Sequence, residues 1–127
     1  MRKTLNYGHT LGHAIESYFL KSPDKKNLLH GEAVAAGMVL ATFISMETYG
    51  FPKETLFDIS KTIFKYFPKQ SFDKKDIEAI INLLVFDKKN RNGQVLFVLM
   101  KDIGNYKIDC VVSNNLIYNA FDYYKNF

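Results

Sequence analysis

The sequence predicts a mainly α-helical fold, in which a helical bundle carries one small β hairpin. Two observations support this prediction. Apolar residues recur at helical spacing in five segments, and two β-rich runs flank a short turn near the C-terminus. The chain has 127 residues, of which 47% are hydrophobic, and this corresponds to one ordinary domain with a sizeable core. We therefore expect a single domain over residues 1–127.

The first two predicted helices cover residues 8–19 and 29–49. In the first, apolar residues recur at i, i+4 and i+8 and form one stripe. The stripe consists of Leu11, Ile15 and Phe19. The second helix ends at Gly50, and its first half is rich in Ala and Gly. Because small side chains let another backbone approach closely, we expect the second helix to be central.

The third and fourth predicted helices cover residues 52–67 and 73–86. Asp73 is a suitable N-cap for the fourth, because its side chain can accept hydrogen bonds from the first turn. Both helices have one apolar face. The predicted faces consist of Leu56, Ile59, Ile63 and Phe67 in the third helix, and Ile77, Ile80, Ile81 and Leu84 in the fourth.

The pattern changes after the fourth helix. Residues 87–93 are predicted to form a charged loop, and residues 94–100 and 106–112 are the β-rich runs of the hairpin. Asn114 or Asn115 is the predicted cap of a final helix that reaches about residue 124.

The composition excludes several classes of protein. The net charge of +4 comes from scattered lysines rather than from the dense basic stripe of a nucleic-acid-binding protein, and it suits an anionic small molecule. The sequence contains no run of about 18 apolar residues, so we expect no membrane span, and no signal peptide is evident. Cys110 is the only cysteine and lies in an apolar run, so we expect a buried, inert thiol in a cytoplasmic protein.

All three histidines lie in two short segments, His9 and His13 in the first and His30 in the second. Histidine is the commonest side-chain metal ligand and the usual proton carrier near neutral pH. On a helix, the i, i+4 spacing of His9 and His13 puts both rings on one face. The pair can chelate a metal, or one ring can bind metal while the other serves a substrate. Catalytic zinc usually takes three protein ligands, so the site would be completed by His30 or by a carboxylate.

Each histidine also has a glycine neighbour, Gly8, Gly12 or Gly31. A single histidine is more often a packed or capping residue than a ligand. A glycine, however, clears side-chain bulk around a neighbouring ring, and it costs about 1 kcal/mol inside a helix. The repetition of this cost at all three positions favours a functional site.

Other polar residues are weaker candidates. Arg2 and Asn6 precede His9 and could lie on the same side of the turn, where an arginine binds carboxylate or phosphate in a bidentate fork. The alternative for Arg2 is a frayed, solvated terminus, and the alternative for Lys88 and Lys89 is a solvated turn.

Two glutamates, Glu16 and Glu32, could orient a histidine through a hydrogen bond. Glu32 lies in the first turn of its helix, so it could instead serve only the helix dipole.

Three motifs together carry a family resemblance. They are Arg2-x-x-x-Asn6-x-Gly8-His9-Thr10-x-Gly12-His13-Ala14-Ile15-Glu16, then Leu29-His30-Gly31-Glu32-Ala33-Val34-Ala35-x-Gly37-Met38, then Asp87-Lys88-Lys89 before Gly93 and a β-rich run. In their order and spacing they resemble the 3-dehydroquinate synthase family. The resemblance covers essentially the whole chain, but only the C-terminal, α-helical domain of that enzyme.

The resemblance implies a lyase of the shikimate pathway, which leads to the aromatic amino acids. The family converts an anionic sugar phosphate, 3-deoxy-arabino-heptulosonate 7-phosphate, to 3-dehydroquinate and phosphate. It uses NAD as a transient oxidant and a divalent metal, zinc or cobalt. The full-length enzyme is expected to be a homodimer.

By motif position, the resemblance implies different roles for the histidines. His9 and His30 correspond to the two zinc histidines, and His13 corresponds to a catalytic histidine near the reacting hydroxyl of the substrate. Arg2 and Asn6 correspond to substrate-binding positions. Lys88 or Lys89, with Lys88 preferred, corresponds to a lysine that contacts an anionic group of the substrate.

The chain also departs from the family. The remaining zinc ligand, a glutamate, and the NAD-binding N-terminal domain lie upstream of this segment in the family, and no Gly-rich βαβ unit occurs in the chain. The resemblance therefore implies no cofactor-binding residue here. We expect the chain alone to be inactive and to bind metal weakly or not at all.

Two kinds of alternative remain open. The first is the domain of a related sugar-phosphate cyclase or of a metal-dependent polyol dehydrogenase. The second is a non-catalytic helical interaction module whose histidines are packed in its core.

Overall fold

The computed structural model describes the backbone of residues 9–21, 30–90, 96–102 and 105–127. Arg2, Asn6 and Gly8 lie outside the described residues. Inside the described elements, the side chains of residues 9–10, 21, 85–90, 96–98, 101–102 and 105–111 are not described. The structure therefore does not test the predictions for the side chains of His9 and Cys110.

The described residues form five helices and a two-stranded antiparallel sheet, which confirms the predicted fold class. In chain order the elements are α1 (His9–Lys21), α2 (His30–Tyr49), α3 (Lys53–Tyr66), α4 (Lys74–Asn90), β1 (Leu96–Asp102), β2 (Asn105–Val111) and α5 (Asn114–Asn126). None of the described helices combines the length with the apolar character that crossing a bilayer requires.

Helix α2 is central, as its small residues predict. It packs against α1, α3, α5 and β1, and its alanines are buried along with Gly37. The helix ends where Gly50 adopts a positive φ of 74°, and the Gly50 N–H donates to the Met46 carbonyl at 2.9 Å. A side chain at this position would be strained, so the glycine terminates α2 and lets the chain turn into α3.

The hairpin is attached to α2 by a buried hydrogen bond. The Met100 backbone N–H in β1 donates to the Ser45 hydroxyl oxygen at 2.8 Å. β1 and β2 pair in antiparallel register from Leu96 opposite Val111 to Asp102 opposite Asn105. Both strands therefore extend further into the turn than the sequence predicts.

Helix α4 is held at its start by two reciprocal hydrogen bonds. The Asp76 N–H donates to Asp73 Oδ1 at 2.8 Å, and the Asp73 N–H donates to Asp76 Oδ2 at 3.0 Å. This arrangement is a capping box, which confirms Asp73 as the N-cap. Asp76 is only 2% exposed, and its Oδ1 also accepts a hydrogen bond from the Tyr18 hydroxyl, so it joins α4 to α1.

The predicted loop over residues 87–93 is wrong in its first part, because α4 continues to Asn90. No glycine or proline occurs between Asp73 and Gly93. Lysines in the last turn are favourable, because their charge complements the carbonyl end of the helix dipole. Lys88 and Lys89 therefore lie on a helix.

Two further predictions at helix ends are corrected. The cap of α5 is Ser113 rather than Asn114 or Asn115, and the Ser113 hydroxyl oxygen accepts from the Leu116 N–H at 3.3 Å. Phe67, predicted to face the core, follows the last residue of α3 in extended conformation and is exposed. An apolar stripe at helical spacing no longer indicates the buried face once the helix has ended.

Aromatic rings fill the core where α1 and α5 meet the segment before α4. The Phe72 ring makes edge contacts with Phe19 at 6.0 Å, Phe121 at 5.1 Å and Tyr124 at 5.5 Å between centroids. The Tyr124 hydroxyl oxygen accepts from the Gln70 N–H at 2.8 Å. Burial raises the pKa of Tyr124 above its ordinary value of 10.0, and the hydrogen bond with Gln70 opposes this less strongly.

This raised pKa predicts a loss of stability in alkali. Above pH 10.0 the unfolded chain releases a phenol proton that folded Tyr124 still holds, so the free energy of unfolding falls as pH rises. We expect urea titrations between pH 8 and pH 11 to show a shallower alkaline decline for Tyr124→Phe than for the wild type. The matched control is Tyr118→Phe, which changes an exposed tyrosine of the same helix. Equal slopes in the two variants would contradict the prediction.

Candidate functional site

Helix α1 has one apolar face and one polar face. Leu11, Ile15 and Phe19 are buried, which confirms the predicted stripe. The positions of His9, His13 and Glu16 are spaced at i, i+4 and i+7, so they follow one another along a single face of the helix. His13 is exposed, and the Glu16 side chain is partly exposed.

Gly12 lies where α1 crosses α2. A Cβ at this position would be 3.2 Å from the Ala33 carbonyl oxygen and 3.2 Å from the Val34 Cα. The prediction that this glycine clears space around a histidine ring is therefore wrong for Gly12. It lets two helix backbones approach. At Gly31, by contrast, the nearest neighbour of an added Cβ is the Phe67 ring at 3.8 Å, an ordinary contact.

The structure brings Glu16 and His30 together across this crossing. Glu16 Oε1 lies 3.1 Å from His30 Nδ1. Gly12 lies against Ala33 of α2. Glu16 comes one turn later on α1, and it contacts His30, which comes about one turn earlier on α2. The two helices therefore run antiparallel here. The contact agrees with the sequence-based suggestion that Glu16 orients a histidine.

The contact determines the chemistry available at His30. A carboxylate only accepts hydrogen bonds, so in the neutral ring Nδ1 carries the proton and Nε2 carries the lone pair. A histidine whose Nδ1–H is held by a carboxylate is the usual form of a metal-binding histidine. The His30 side chain is 62% exposed and Glu16 is 22% exposed, so the carboxylate lies deeper than the imidazole.

The other predicted metal ligand, His9, lies at the start of α1. His9 is the first residue of the helix and precedes Glu16 by seven residues, which corresponds to about 10 Å along the axis. Among the side chains that the structure describes, no group of three or more His, Cys, Asp and Glu residues could hold a metal ion. The pairing of His9 with His30 therefore stays a prediction.

The remaining predicted site residues are only partly placed. Lys88 and Lys89 lie in the last turn of α4, which packs against α1. Arg2 and Asn6 are outside the described part of the chain. Two features were missed from the sequence: the specific pairing of Glu16 with His30, and the link from Tyr18 to Asp76. Neither has a local signal in the sequence, because each depends on how two helices pack; the spacing of Asp73-x-x-Asp76 indicates only the capping box.

Two solved structures share this fold. One is 2-epi-5-epi-valiolone synthase from Streptomyces hygroscopicus subsp. jinggangensis 5008, with NAD+ and Zn2+ bound, which is 21% identical with a TM-score of 0.71. The match covers 96% of this chain and 32% of that one. The other is 2-deoxy-scyllo-inosose synthase, 24% identical with a TM-score of 0.68 over 93% of this chain and 31% of that one. This chain thus shares its fold with about a third of each of these two synthases.

The sequence matches identify the family of the chain. Residues 1–90 match the family described as 3-dehydroquinate synthase C-terminal. The 3-dehydroquinate synthase of Parabacteroides distasonis is 40% identical over 126 residues, which is 98% of this chain and 35% of that protein. The enzyme of Nostoc punctiforme is 42% identical over 118 residues, 92% of this chain and 31% of that protein. The chain belongs to the 3-dehydroquinate synthase C-terminal family, as its motifs predict, and spans about a third of the length of these relatives.

Proposed function

We propose that this chain is the metal- and substrate-binding C-terminal part of a 3-dehydroquinate synthase. The whole enzyme would convert 3-deoxy-arabino-heptulosonate 7-phosphate to 3-dehydroquinate and phosphate in the shikimate pathway. The family match over residues 1–90 carries the proposal, because this range contains both histidine segments and the lysine pair. The contact between Glu16 and His30 supports it, because it joins the two histidine segments in space.

The donor groups fit a divalent metal in part. His30 has the hydrogen-bonded Nδ1 that is typical of a zinc-binding imidazole. We assign His9 and His30 as ligands of zinc or cobalt, with a third, carboxylate ligand from outside this chain. When bound, the metal would supply Lewis-acid polarisation of a substrate oxygen.

The other residues are assigned to the substrate. His13 is exposed on α1 and lies one turn from His9, so an imidazole there can exchange a proton with a substrate hydroxyl. We assign Arg2 and Asn6 to substrate binding and Lys88 or Lys89 to an anionic group of the substrate. A lysine offers such a group a compact positive charge.

No residue of this chain is assigned to NAD. The sheet of the described residues has two antiparallel strands and provides no βαβ unit for a dinucleotide. We place NAD binding in an N-terminal domain of the full-length enzyme, which we expect to be a homodimer. The synthase from Streptomyces that shares the fold holds both NAD+ and Zn2+.

A chimaera tests this proposal. The N-terminal part of the Parabacteroides distasonis synthase, up to the start of its aligned region, would be fused to this chain. With NAD and zinc, we expect the chimaera to release phosphate from 3-deoxy-arabino-heptulosonate 7-phosphate, and the isolated chain to release none. The same chimaera with His13→Ala should lose about 10²–10⁴-fold in rate if His13 moves a proton.

The controls separate the alternatives. Sedoheptulose 7-phosphate and glucose 6-phosphate test for other sugar-phosphate cyclases, and glycerol tests for a polyol dehydrogenase. Turnover of one of these in place of the heptulosonate phosphate would contradict the proposed substrate. Turnover by the isolated chain would contradict the proposed division of the site between two domains.

A further inference from the structure

Glu16 is the deeper member of the pair that it forms with His30. Its side chain is 22% exposed, whereas the His30 side chain is 62% exposed. Glu16 also lies in the middle of α1, next to Ile15, which is completely buried. His30 is the first residue of α2. The carboxylate is therefore the more buried member of the pair, and the imidazole is the more exposed one.

The backbone contact at Gly12 sets how closely the helices that carry the two side chains approach each other. The helices approach so closely that a Cβ on Gly12 would come within 3.2 Å of α2 backbone atoms. Glu16 lies one turn beyond this contact on α1, and His30 lies three residues before Ala33 on α2. The crossing thus brings the two side chains within reach of each other, and Glu16 Oε1 lies 3.1 Å from His30 Nδ1.

We propose that Glu16 is a positioning residue that holds the His30 ring in one orientation and in the Nδ1–H tautomer, so that Nε2 is the metal-binding nitrogen. This rests on the proposed function, in which His30 is a metal ligand. In general, an imidazole populates several rotamers and both tautomers unless a hydrogen bond selects one form, and metal binding would then have to make that selection. Glu16 makes that selection in advance.

A purely structural role for Glu16 predicts something different. A carboxylate near the N-terminus of α2 interacts favourably with the helix dipole, whichever nitrogen of His30 carries the proton. Loss of Glu16 would then lower the stability of the fold but leave the tautomer of His30 unchanged. The tautomer therefore separates the two roles.

The first measurement is a long-range ¹H–¹⁵N correlation spectrum of the metal-free chain at pH 8.5, about two units above the ordinary histidine pKa of about 6.5. We expect His30 to show a protonated Nδ1 and an unprotonated Nε2. Glu16→Ala should shift the ring to a mixture of tautomers, and Glu16→Gln, whose amide oxygen can still accept from Nδ1–H, should fall between. Glu78→Ala removes an exposed glutamate from α4 and is the matched control.

The second measurement is the affinity of the chimaera for Zn²⁺, by competition with a chelator. Loss of a hydrogen-bonding partner of a metal-binding histidine typically costs 10–100-fold in affinity. We expect a loss of that size for Glu16→Ala, a smaller loss for Glu16→Gln, a larger one for His30→Ala and no change for Glu78→Ala. The backbone amide spectrum of each variant shows whether it is folded.

The outcomes distinguish this inference from the proposed function. If His30→Ala weakens zinc binding and Glu16→Ala does not, His30 remains a ligand and the positioning role is overturned. An unchanged tautomer in Glu16→Ala overturns it as well. If His30→Ala leaves zinc affinity unchanged, the metal assignment of the proposed function fails, whatever the tautomer shows.

Discussion

Gly12→Leu is expected to lower the free energy of unfolding by about 2 kcal/mol or more. The new side chain starts from a Cβ that is already 3.2 Å from the Ala33 carbonyl oxygen and the Val34 Cα, and backbone atoms cannot rotate away. Overpacking of this kind costs about 3 kcal/mol, and the better helix propensity of leucine offsets only about 1 kcal/mol. Urea denaturation of the purified chain measures the difference.

The matched control for this variant is Gly31→Leu. The nearest neighbour of a Cβ at Gly31 is the Phe67 ring at 3.8 Å, and both residues are exposed, so the change should not lower the free energy of unfolding and can raise it by up to about 1 kcal/mol through helix propensity. Gly12→Leu should also separate Glu16 from His30 and reduce the affinity of the chimaera for zinc. Equal stability of the two variants would show that the crossing of α1 and α2 can relax.

Local sequence patterns predicted most of the fold. The stripe of Leu11, Ile15 and Phe19 identified the buried face of α1, because one helix alone determines which residues share a face. Gly50 correctly marked the end of α2 for the same local reason. The errors occurred at ends where several residues compete, as at the cap of α5, where Ser113 rather than an asparagine accepts the hydrogen bond.

The site was less predictable, because its geometry depends on how two helices cross. The spacing of His9, His13 and Glu16 on α1 follows from the sequence. That Glu16, rather than His9 or His13, lies beside His30 Nδ1 does not, because it depends on the register between α1 and α2. Gly12 illustrates the same limit: its position beside His13 suggested space for a ring, whereas the three-dimensional structure shows space for a backbone.

Asp76→Ala is the second change with a large expected effect. Asp76 is 2% exposed, caps α4 through the Asp73 N–H and accepts from the Tyr18 hydroxyl of α1. Its removal leaves both donors, which are partly buried, without this acceptor. Hydrogen bonds to a charged group contribute about 1.5–3 kcal/mol each, so we expect a loss of about 3 kcal/mol in the free energy of unfolding.

A double-mutant cycle with Tyr18→Phe separates the two contributions. Tyr18→Phe removes the donor from α1 but leaves the capping box, so it should cost less than Asp76→Ala. Together the two changes should cost less than the sum of the single changes, because the combined variant leaves no partly buried hydroxyl without its acceptor. Additive losses in urea denaturation would show that Asp76 acts only as a cap. A coupling of about 1 kcal/mol or more would show that it also fastens α1, the helix of the candidate site, to α4.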